Sequence, residues 1–495
     1  MTIAAPPGPV TTDPFDDDKL HEECGVFGIA GKETAAAMVT LGLHALQHRG
    51  QEAAGIVSSD GEDFHAHHAM GLVGDTFNSP EILGQLTGHA AIGHVRYATT
   101  GETALRNVQP FFSDFAFGGF AVAHNGNITN ALNLRNSLVQ QGCLFRSTSD
   151  TEVILHLMAK AEGGVIDRLI AALQKIEGAY SLVCLAKNLL IGVRDPYGIR
   201  PLVLGKIDQS WVLASESCAL DIIGAEFVRD VKPGELVTIR SGELQSAFPF
   251  TAAPRKFCIF EYIYFARPDS LMEGRSVYEM RKQIGVELAR ESPVAADCVV
   301  PVPDSGVPSA IGYAQQSGLP FDLGIIRNHY VGRTFIQPTD RIRHLGVKLK
   351  HSANRRFIEG KRVILVDDSI VRGTTSTKIV AMLRGAGAKE VHMRISSPPT
   401  KHSCFYGIDT PEKEKLLAHN YTVEQMAHLI GADSLAFISL DGLYRAVGEV
   451  KRNAGMPQYC DACFSGDYPI ALTDFNAPGG NHQGALSFLR AQLGK

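Results

Sequence analysis

The apolar positions of the chain fall into two regimes. In the first half, short apolar runs alternate with turn signals. Residues 26–30 form a run suited to a buried strand, and 91–97, 117–124, 180–186 and 211–214 repeat the pattern. Asn125-Gly126 and Asp195-Pro196-Tyr197-Gly198 read as turns separating such strands. Residues 34–48 carry Ala37, Met38, Leu41 and Ala45 at helical spacing, and Gly50 follows as a stop. Strands outnumber helices here, as in a layered α+β domain built on large sheets. Between about Lys232 and Arg255 the pattern weakens into small, Gly- and Pro-containing sequence, which places a domain boundary near residue 255.

The second half changes character. Strands are expected at 297–301, 321–326, 362–366 and 391–396, with helices at 309–317 and from about Thr375 to Arg384. Continuous aliphatic strands alternating with helices indicate a parallel sheet buried on both faces, the α/β arrangement. Thr422-Val423-Glu424-Gln425 is a capping-box pattern opening a helix on Met426, Leu429 and Ile430.

Length and charge narrow the class. A chain of 495 residues predicts two or three domains. A net charge of −5, from 47 Lys+Arg against 52 Asp+Glu, argues against a nucleic-acid-binding protein. No 18-residue apolar run occurs, so no membrane-spanning helix is expected. Nine scattered cysteines argue against a secreted disulfide scaffold and for a cytoplasmic protein with reduced thiols or metal ligands.

The first 23 residues stand apart. They hold four prolines, six acidic residues and one Lys, with neither the basic start nor the apolar middle of a signal peptide. Composition alone allows a disordered tail. The alternative is a propeptide (1–23), because Cys24 follows, ahead of Gly25-Val26-Phe27-Gly28-Ile29. Cleavage there would place a thiol and a free α-amine on one residue, and such an amine, with a pKa near ~7.7–8.0, can serve as a base at neutral pH. A nucleophile would then carry its own base.

In the second half, Asp367-Asp368 closes an aliphatic strand, and Ser369-Ile370-Val371-Arg372-Gly373-Thr374-Thr375 opens a helix. Backbone N–H groups and hydroxyls at a helix start suit a phosphate, and paired carboxylates suit a divalent cation or ribose hydroxyls. An acidic pair after a strand can also be a solvated turn, but the full string of four aliphatics, two acids and V-R-G-T-T is far more particular. It resembles the phosphoribosyl pyrophosphate (PRPP) signature of type I phosphoribosyltransferases. The resemblance implies that Asp367 and Asp368 bind ribose hydroxyls and Mg²⁺, one ion per subunit. It implies that Ser369, Val371, Arg372, Gly373, Thr374 and Thr375 receive the 5′-phosphate, and that Ser305, in P-D-S-G-V-P, reaches the metal from the pyrophosphate loop. Residues 328–338 are a candidate lid that keeps water from the reacting carbon. Its Arg333, with Lys350, could neutralise departing pyrophosphate, or both could be ordinary surface charges.

In the first half, Cys24 and the run after it look like the start of class II glutamine amidotransferases, and further matches follow in family order. They imply that Arg96, in H-V-R-Y-A-T-T-G, binds the α-carboxylate of glutamine, and that Asp150, in S-T-S-D-T-E, binds its α-ammonium. Asn125 and Gly126, in H-N-G-N-I, would form the oxyanion hole. Taken alone, Asn-Gly is more often a turn. The implied fold is an N-terminal-nucleophile αββα glutaminase domain (24–255) followed by a type I phosphoribosyltransferase domain (256–495) with a C-terminal cluster-binding segment.

A glutaminase joined to a PRPP site is similar to the family of glutamine-dependent PRPP amidotransferases over residues 24–470. That resemblance implies attack by Cys24 on glutamine, transfer of ammonia along a buried route to PRPP, and formation of 5-phosphoribosylamine, the first committed step of purine synthesis. Tyr97, Tyr262 and Tyr264 are candidate linings of that route. It also implies a homotetramer and inhibition by purine nucleotides. Four of the cysteines, Cys258, Cys404, Cys460 and Cys463, fall where one propeptide-containing branch of the family places the ligands of a [4Fe–4S] cluster, one per subunit. Four thiolates equally suit tetrahedral zinc, and spacing alone does not separate the two. The other cysteines, Cys143, Cys184, Cys218 and Cys298, read as buried small apolar residues. Two rival functions remain on the sequence: another class II amidotransferase, which gives residues 367–375 no task, and a PRPP-sensing regulator with a decayed glutaminase, which predicts loss of Cys24, Arg96 or Asp150.

Overall fold

The structure, a computed structural model, describes residues 21–22, 24–97, 104–328 and 351–475. Arg333, Lys350 and the lid candidate beyond Asn328 lie outside the described residues.

Among the described residues the first half folds around two large antiparallel sheets. One has seven strands in the order Glu226–Asp230, Val203–Ile207, Ser210–Ala214, Gly25–Ala30, Ala90–Arg96, Ala53–Ser59 and Phe64–Met70. The other has six, in the order Glu243–Ala247, Leu236–Arg240, Leu189–Arg194, Gly178–Ala186, Gly118–Ile128 and Phe111–Phe115. Their facing sides share one core of Val26, Ile92, Ala121, Ala123, Val183 and Leu213. The outer side of the first sheet is covered by helix Ala35–Ala45, through Val39 and Leu43. Helices Glu152–Lys160 and Val165–Leu173 cover the second. Alternation along each strand puts one set of side chains between the sheets and the other under helices, and the result is a four-layer αββα domain.

The second half holds a parallel sheet in the order Cys298–Pro301, Arg362–Asp367, Glu390–Ile395 and Ser434–Phe437. Ile364 and Val366 face helices Val277–Glu291 and Val307–Ser317, while Val363 and Leu365 face Thr374–Gly385 and Val423–Ile430. This double coverage is why strand Arg362–Asp367 reads as an unbroken aliphatic run from Val363 to Val366. The capping box at Thr422 is present: Gln425 N–H donates to the Thr422 hydroxyl, and the Thr422 N–H donates to the Gln425 side chain at 2.9 Å. Met426 and Ile430 are buried, but Leu429 is exposed.

Three sequence expectations need correction. Asn125-Gly126 is no turn; it lies inside strand Gly118–Ile128, opposite Ser181 and Tyr180. The stretch before residue 255 is not irregular, because Leu236–Arg240 and Glu243–Ala247 form a hairpin on the edge of the six-stranded sheet. Residues 321–326 do not form a strand of the parallel sheet. Phe321 makes a single bridge to Val299, the chain turns at Asp322, and Ile325–Arg327 pairs antiparallel with His351–Ala353. Ser434–Phe437 takes the fourth place instead.

The C-terminal segment straps the halves together. Tyr459–Cys460 pairs in parallel with Phe257–Cys258. Further on, the Asp474 carboxylate accepts the N–H groups of Leu132 (2.7 Å) and Asn133 (3.1 Å), capping first-half helix Ala131–Gln140. Beside it, the Thr129 hydroxyl donates to the Ala471 carbonyl at 2.8 Å.

Candidate active site

Cys24 sits immediately ahead of strand Gly25–Ala30, in the middle of the seven-stranded sheet. It is buried and adopts φ 79°, an uncommon conformation for a residue with a Cβ. Its N–H donates to the Arg49 carbonyl at 3.0 Å, and its sulfur lies 3.7 Å from the Tyr97 carbonyl oxygen. The facing sheet supplies Asn125 and Gly126. One hydroxyl joins the two sheets at this point: Ser215 Oγ accepts the Val26 N–H at 2.9 Å and the Asn125 Nδ2 at 3.4 Å. On its other side Asn125 Oδ1 accepts from Arg200 Nε at 3.3 Å. A guanidinium only donates, so it holds the amide oxygen toward itself and turns the NH2 toward Ser215. Gly126 has φ 144°, and a Cβ there would lie 2.0 Å from the Ala179 carbonyl oxygen. The strand admits only glycine at this position.

Arg96 ends strand Ala90–Arg96, buried, with Nη1 3.9 Å from Glu52. Asp150 is buried too; it accepts the Ile128 N–H at 2.9 Å and the hydroxyls of Ser149 and Thr151 at 3.3 Å. Two residues on, Glu152 accepts the N–H groups of Arg146 and Ser147, both at 2.7 Å. Burial works against this carboxylate, but His156, Ser147 and those N–H groups together bring its pKa down to about 2. The Ser-Thr-Ser-Asp-Thr-Glu turn is therefore held by its own acid.

In the second half, Asp367 and Asp368 stand at the carboxyl end of the parallel strand Arg362–Asp367, each 2% exposed. That end of an open α/β sheet is where ligands bind. The Asp367 carbonyl is held by the Ser396 N–H (2.9 Å) and hydroxyl (3.1 Å), and the Ser369 hydroxyl donates to Asp368 at 2.6 Å. Gly373 precedes helix Thr374–Gly385, whose first N–H groups lack partners within the helix. Around it Val371 and Thr375 are buried, while Arg372 and Thr374 are exposed. The neighbouring strand leads into Ser305 and Gly306. A Cβ on Gly306 would lie 2.4 Å from the Val366 carbonyl oxygen, so the Ser305 loop lies directly against the strand carrying the acids. Arg281, buried behind the site, is attracted by Asp368; burial lowers its pKa to about 10.

The four singled-out cysteines are brought together. Cys258 is the direct register partner of Cys460, and Cys463 interacts electrostatically with Cys258, Cys404 and Cys460. Burial pushes all four thiols up, yet N–H groups point at three of them: Phe260 toward Cys258, Tyr406 toward Cys404 and Ala462 toward Cys460. Thiolates bound to a cationic group are what such a dry, N–H-lined pocket suits. Among the described residues no three or more Cys, His, Asp or Glu side chains are gathered as a single-ion site. Of the other cysteines, Cys184, Cys218 and Cys298 are buried and Cys143 is half-buried.

The tyrosines proposed from sequence divide: the Tyr97 carbonyl faces the Cys24 sulfur, while the buried Tyr262 commits its hydroxyl to the Met272 carbonyl at 3.0 Å. Sequence reasoning missed Ser215, Arg49, Arg200, Glu216 and Glu261. Glu261 carried a signal, being the lone charge in the apolar run Phe257-Cys258-Ile259-Phe260-Glu261-Tyr262-Ile263-Tyr264-Phe265. A charge there must be paired if the run is buried.

Comparison with known proteins defines the class first. A glutamine amidotransferase domain matches residues 94–221, and a phosphoribosyl transferase domain matches residues 282–413. The chain is thus a glutamine amidotransferase joined to a phosphoribosyltransferase. It is 59% identical to the amidophosphoribosyltransferase of Rhizobium etli, over 94% of this chain and 95% of that one. It is 49% identical to the Bacillus subtilis amidophosphoribosyltransferase, over 92% and 95%. A solved structure of the B. subtilis glutamine PRPP amidotransferase with ADP and GMP superposes with a TM-score of 0.86 at 47% identity, covering 91% of this chain and 98% of that one. Another, described as the allosteric regulatory enzyme of purine biosynthesis, gives 0.88 at 46% identity, covering 94% and 100%. The chain belongs to the amidophosphoribosyltransferase family.

Proposed function

We propose that the chain converts glutamine and PRPP to glutamate, pyrophosphate and 5-phosphoribosylamine, with Cys24 as the nucleophile. Arg96 pairs with the α-carboxylate of glutamine and Asp150 with its α-ammonium. With the residues before Cys24 removed, its α-amine, oriented by the Arg49 carbonyl, takes the thiol proton. The sulfur attacks the amide carbon. The developing oxyanion is met by Asn125 Nδ2 and the Gly126 N–H. The tetrahedral centre expels ammonia, which takes up the proton held by the amine, and water hydrolyses the thioester to glutamate.

In the second half Asp367 and Asp368 accept from the ribose hydroxyls, and residues 369 and 371–375 hold the 5′-phosphate. Ammonia displaces pyrophosphate from C1, and Arg333 and Lys350 neutralise the leaving group. Mg²⁺ held by Ser305, Asp367 and Asp368 would add positive charge on the pyrophosphate when bound. The observation supporting this reading most directly is the Ser215 hydroxyl, which ties the strand of Cys24 to Asn125 in a chain that also carries the acidic cradle. The test is stoichiometry: glutamate and pyrophosphate should appear one to one when both substrates are present. Glutamate release indifferent to PRPP would defeat the reading.

The finer assignment is the branch with a propeptide and a [4Fe–4S] cluster on Cys258, Cys404, Cys460 and Cys463. The mutual approach of four buried thiols suits a metal group, and the resemblance to the propeptide-containing branch favours a cluster over zinc. Its ligands come from the start and the end of the second half, so it would pin the C-terminal strap. Active protein should begin at Cys24 by mass, be brown, and contain about four irons per chain, as a cubane requires. Colourless, fully active protein with stoichiometric zinc is the contrary result. We further assign the family's purine-nucleotide inhibition, homotetrameric assembly and cytoplasmic location to this chain. Among the described residues no helix is long and apolar enough to cross a membrane.

A further inference from the structure

Four charged side chains, all fully buried, meet where the two halves touch: Arg49, Arg200, Glu216 and Glu261. Arg49 bridges the two acids, with Nε on Glu216 and Nη2 2.9 Å from Glu261 Oε2. Arg200 Nη2 lies 3.3 Å from Glu261 Oε1. His48 and the Ser270 hydroxyl add contacts to Glu216. Of the four, only Glu261 comes from the second half. It opens the segment Glu261–Phe265, which Arg281 grips through the carbonyls of Tyr262 (3.1 Å) and Tyr264 (2.7 Å).

Both arginines have a second commitment, and each leads to the glutaminase pocket. The Arg49 carbonyl accepts from the Cys24 nitrogen at 3.0 Å, and Arg200 Nε donates to Asn125 Oδ1 at 3.3 Å. We propose that Glu261 is a positioning residue of the glutaminase, a carboxylate lent by the phosphoribosyltransferase half that fixes Arg200 against the Asn125 amide and Arg49 beside the Cys24 amine. An amide has two nearly isosteric orientations, and only one presents its NH2 to an oxyanion. Arg200 selects it, because five donors and no acceptor leave no place for the amide NH2 on its side. Glu261 holds Arg200 in place, and it keeps the cluster neutral, two charges against two. Removing one partner of such a set leaves an uncompensated buried charge that the neighbours must relieve by moving. The inference rests on the reading of Cys24 and Asn125 given above.

The decisive variant is Glu261→Gln, which keeps the shape and removes the charge. Losing one oxyanion donor costs about 10²–10³ in kcat in other enzymes. A misaligned amide should cost somewhat less, about 30- to 100-fold in glutamine-dependent kcat. Arg96 and Asp150 are untouched, so the KM for glutamine should stay within about threefold, and ammonia-dependent turnover of PRPP within about twofold. Arg200→Lys keeps the charge but loses the Nε–H aimed at Asn125, and should show the same split; should E261Q not accumulate as folded protein, this variant decides alone. In an Asn125→Ala background, E261Q should cost little more, because its effect runs through that amide. Unchanged glutamine-dependent kcat, full additivity with N125A, or parallel loss of both activities would each overturn the proposal. A wild-type enzyme that uses ammonia but not glutamine would instead defeat the assignment of Cys24.

Discussion

Cys24→Ala should abolish glutamine-dependent synthesis of 5-phosphoribosylamine, on the order of 10⁴-fold or more, and leave the ammonia-dependent reaction within about twofold of wild type. The asymmetry follows from the architecture. Cys24 precedes a strand of the seven-stranded sheet of the first half, its sulfur beside the Tyr97 carbonyl, and Asp367 and Asp368 stand at the end of a strand of a separate parallel sheet. Removing the sulfur deletes the covalent route from amide to thioester. The oxyanion donors and the glutamine-binding residues remain, so glutamine should still bind. Glutamate release and pyrophosphate release, measured side by side with glutamine or with an ammonium salt at alkaline pH, give both numbers. Equal loss of the two activities would mean that the halves share one site.

Asp368→Asn should remove both activities, by roughly 10³-fold, the scale on which losing a key electrostatic group acts. Asp367 and Asp368 are 2% exposed, so carboxylates at these positions carry a desolvation cost that donors and cations around them must offset. Arg281 faces Asp368 from the protein side and offsets part of that cost. An asparagine keeps the size, and the Ser369 hydroxyl keeps an acceptor, but the attraction for a divalent ion is lost. Calorimetry with PRPP and Mg²⁺ should show weakened binding in step with the lost rate. If ammonia-dependent turnover survives in D368N, the cradle has been placed on the wrong acids.

Much of this was legible in the sequence, for identifiable reasons. The parallel sheet announced itself through Val363-Ile364-Leu365-Val366, because burial on both faces leaves no polar alternation to misread. The Cys24 and Asp367-Asp368 motifs are local strings, and local strings survive without a fold. Asn125-Gly126 misled as a turn because its conformation is set from outside. Gly126 takes a positive φ under pressure from the Ala179 carbonyl across the sheet and from Gly407 of the other half, whose own Cβ would lie 2.9 Å from the Gly126 Cα. The edge hairpin at 236–247 lies in a stretch that reads as small, Gly- and Pro-containing sequence, although Leu236, Val237 and Ile239 carry a strand's burial. The Arg49–Glu261 pair spans 212 positions, and no periodicity links residues that far apart.

The capping of helix Ala131–Gln140 by Asp474 sets an order of events during synthesis. Asp474 lies 342 positions after Leu132, so a ribosome adds that many further residues before the cap is available. The glutaminase layers can condense earlier, but the helix start and Thr129 wait for residues 471–474. A chain terminated before residue 474 lacks this cap, so the start of helix Ala131–Gln140 should fray in the domain made first.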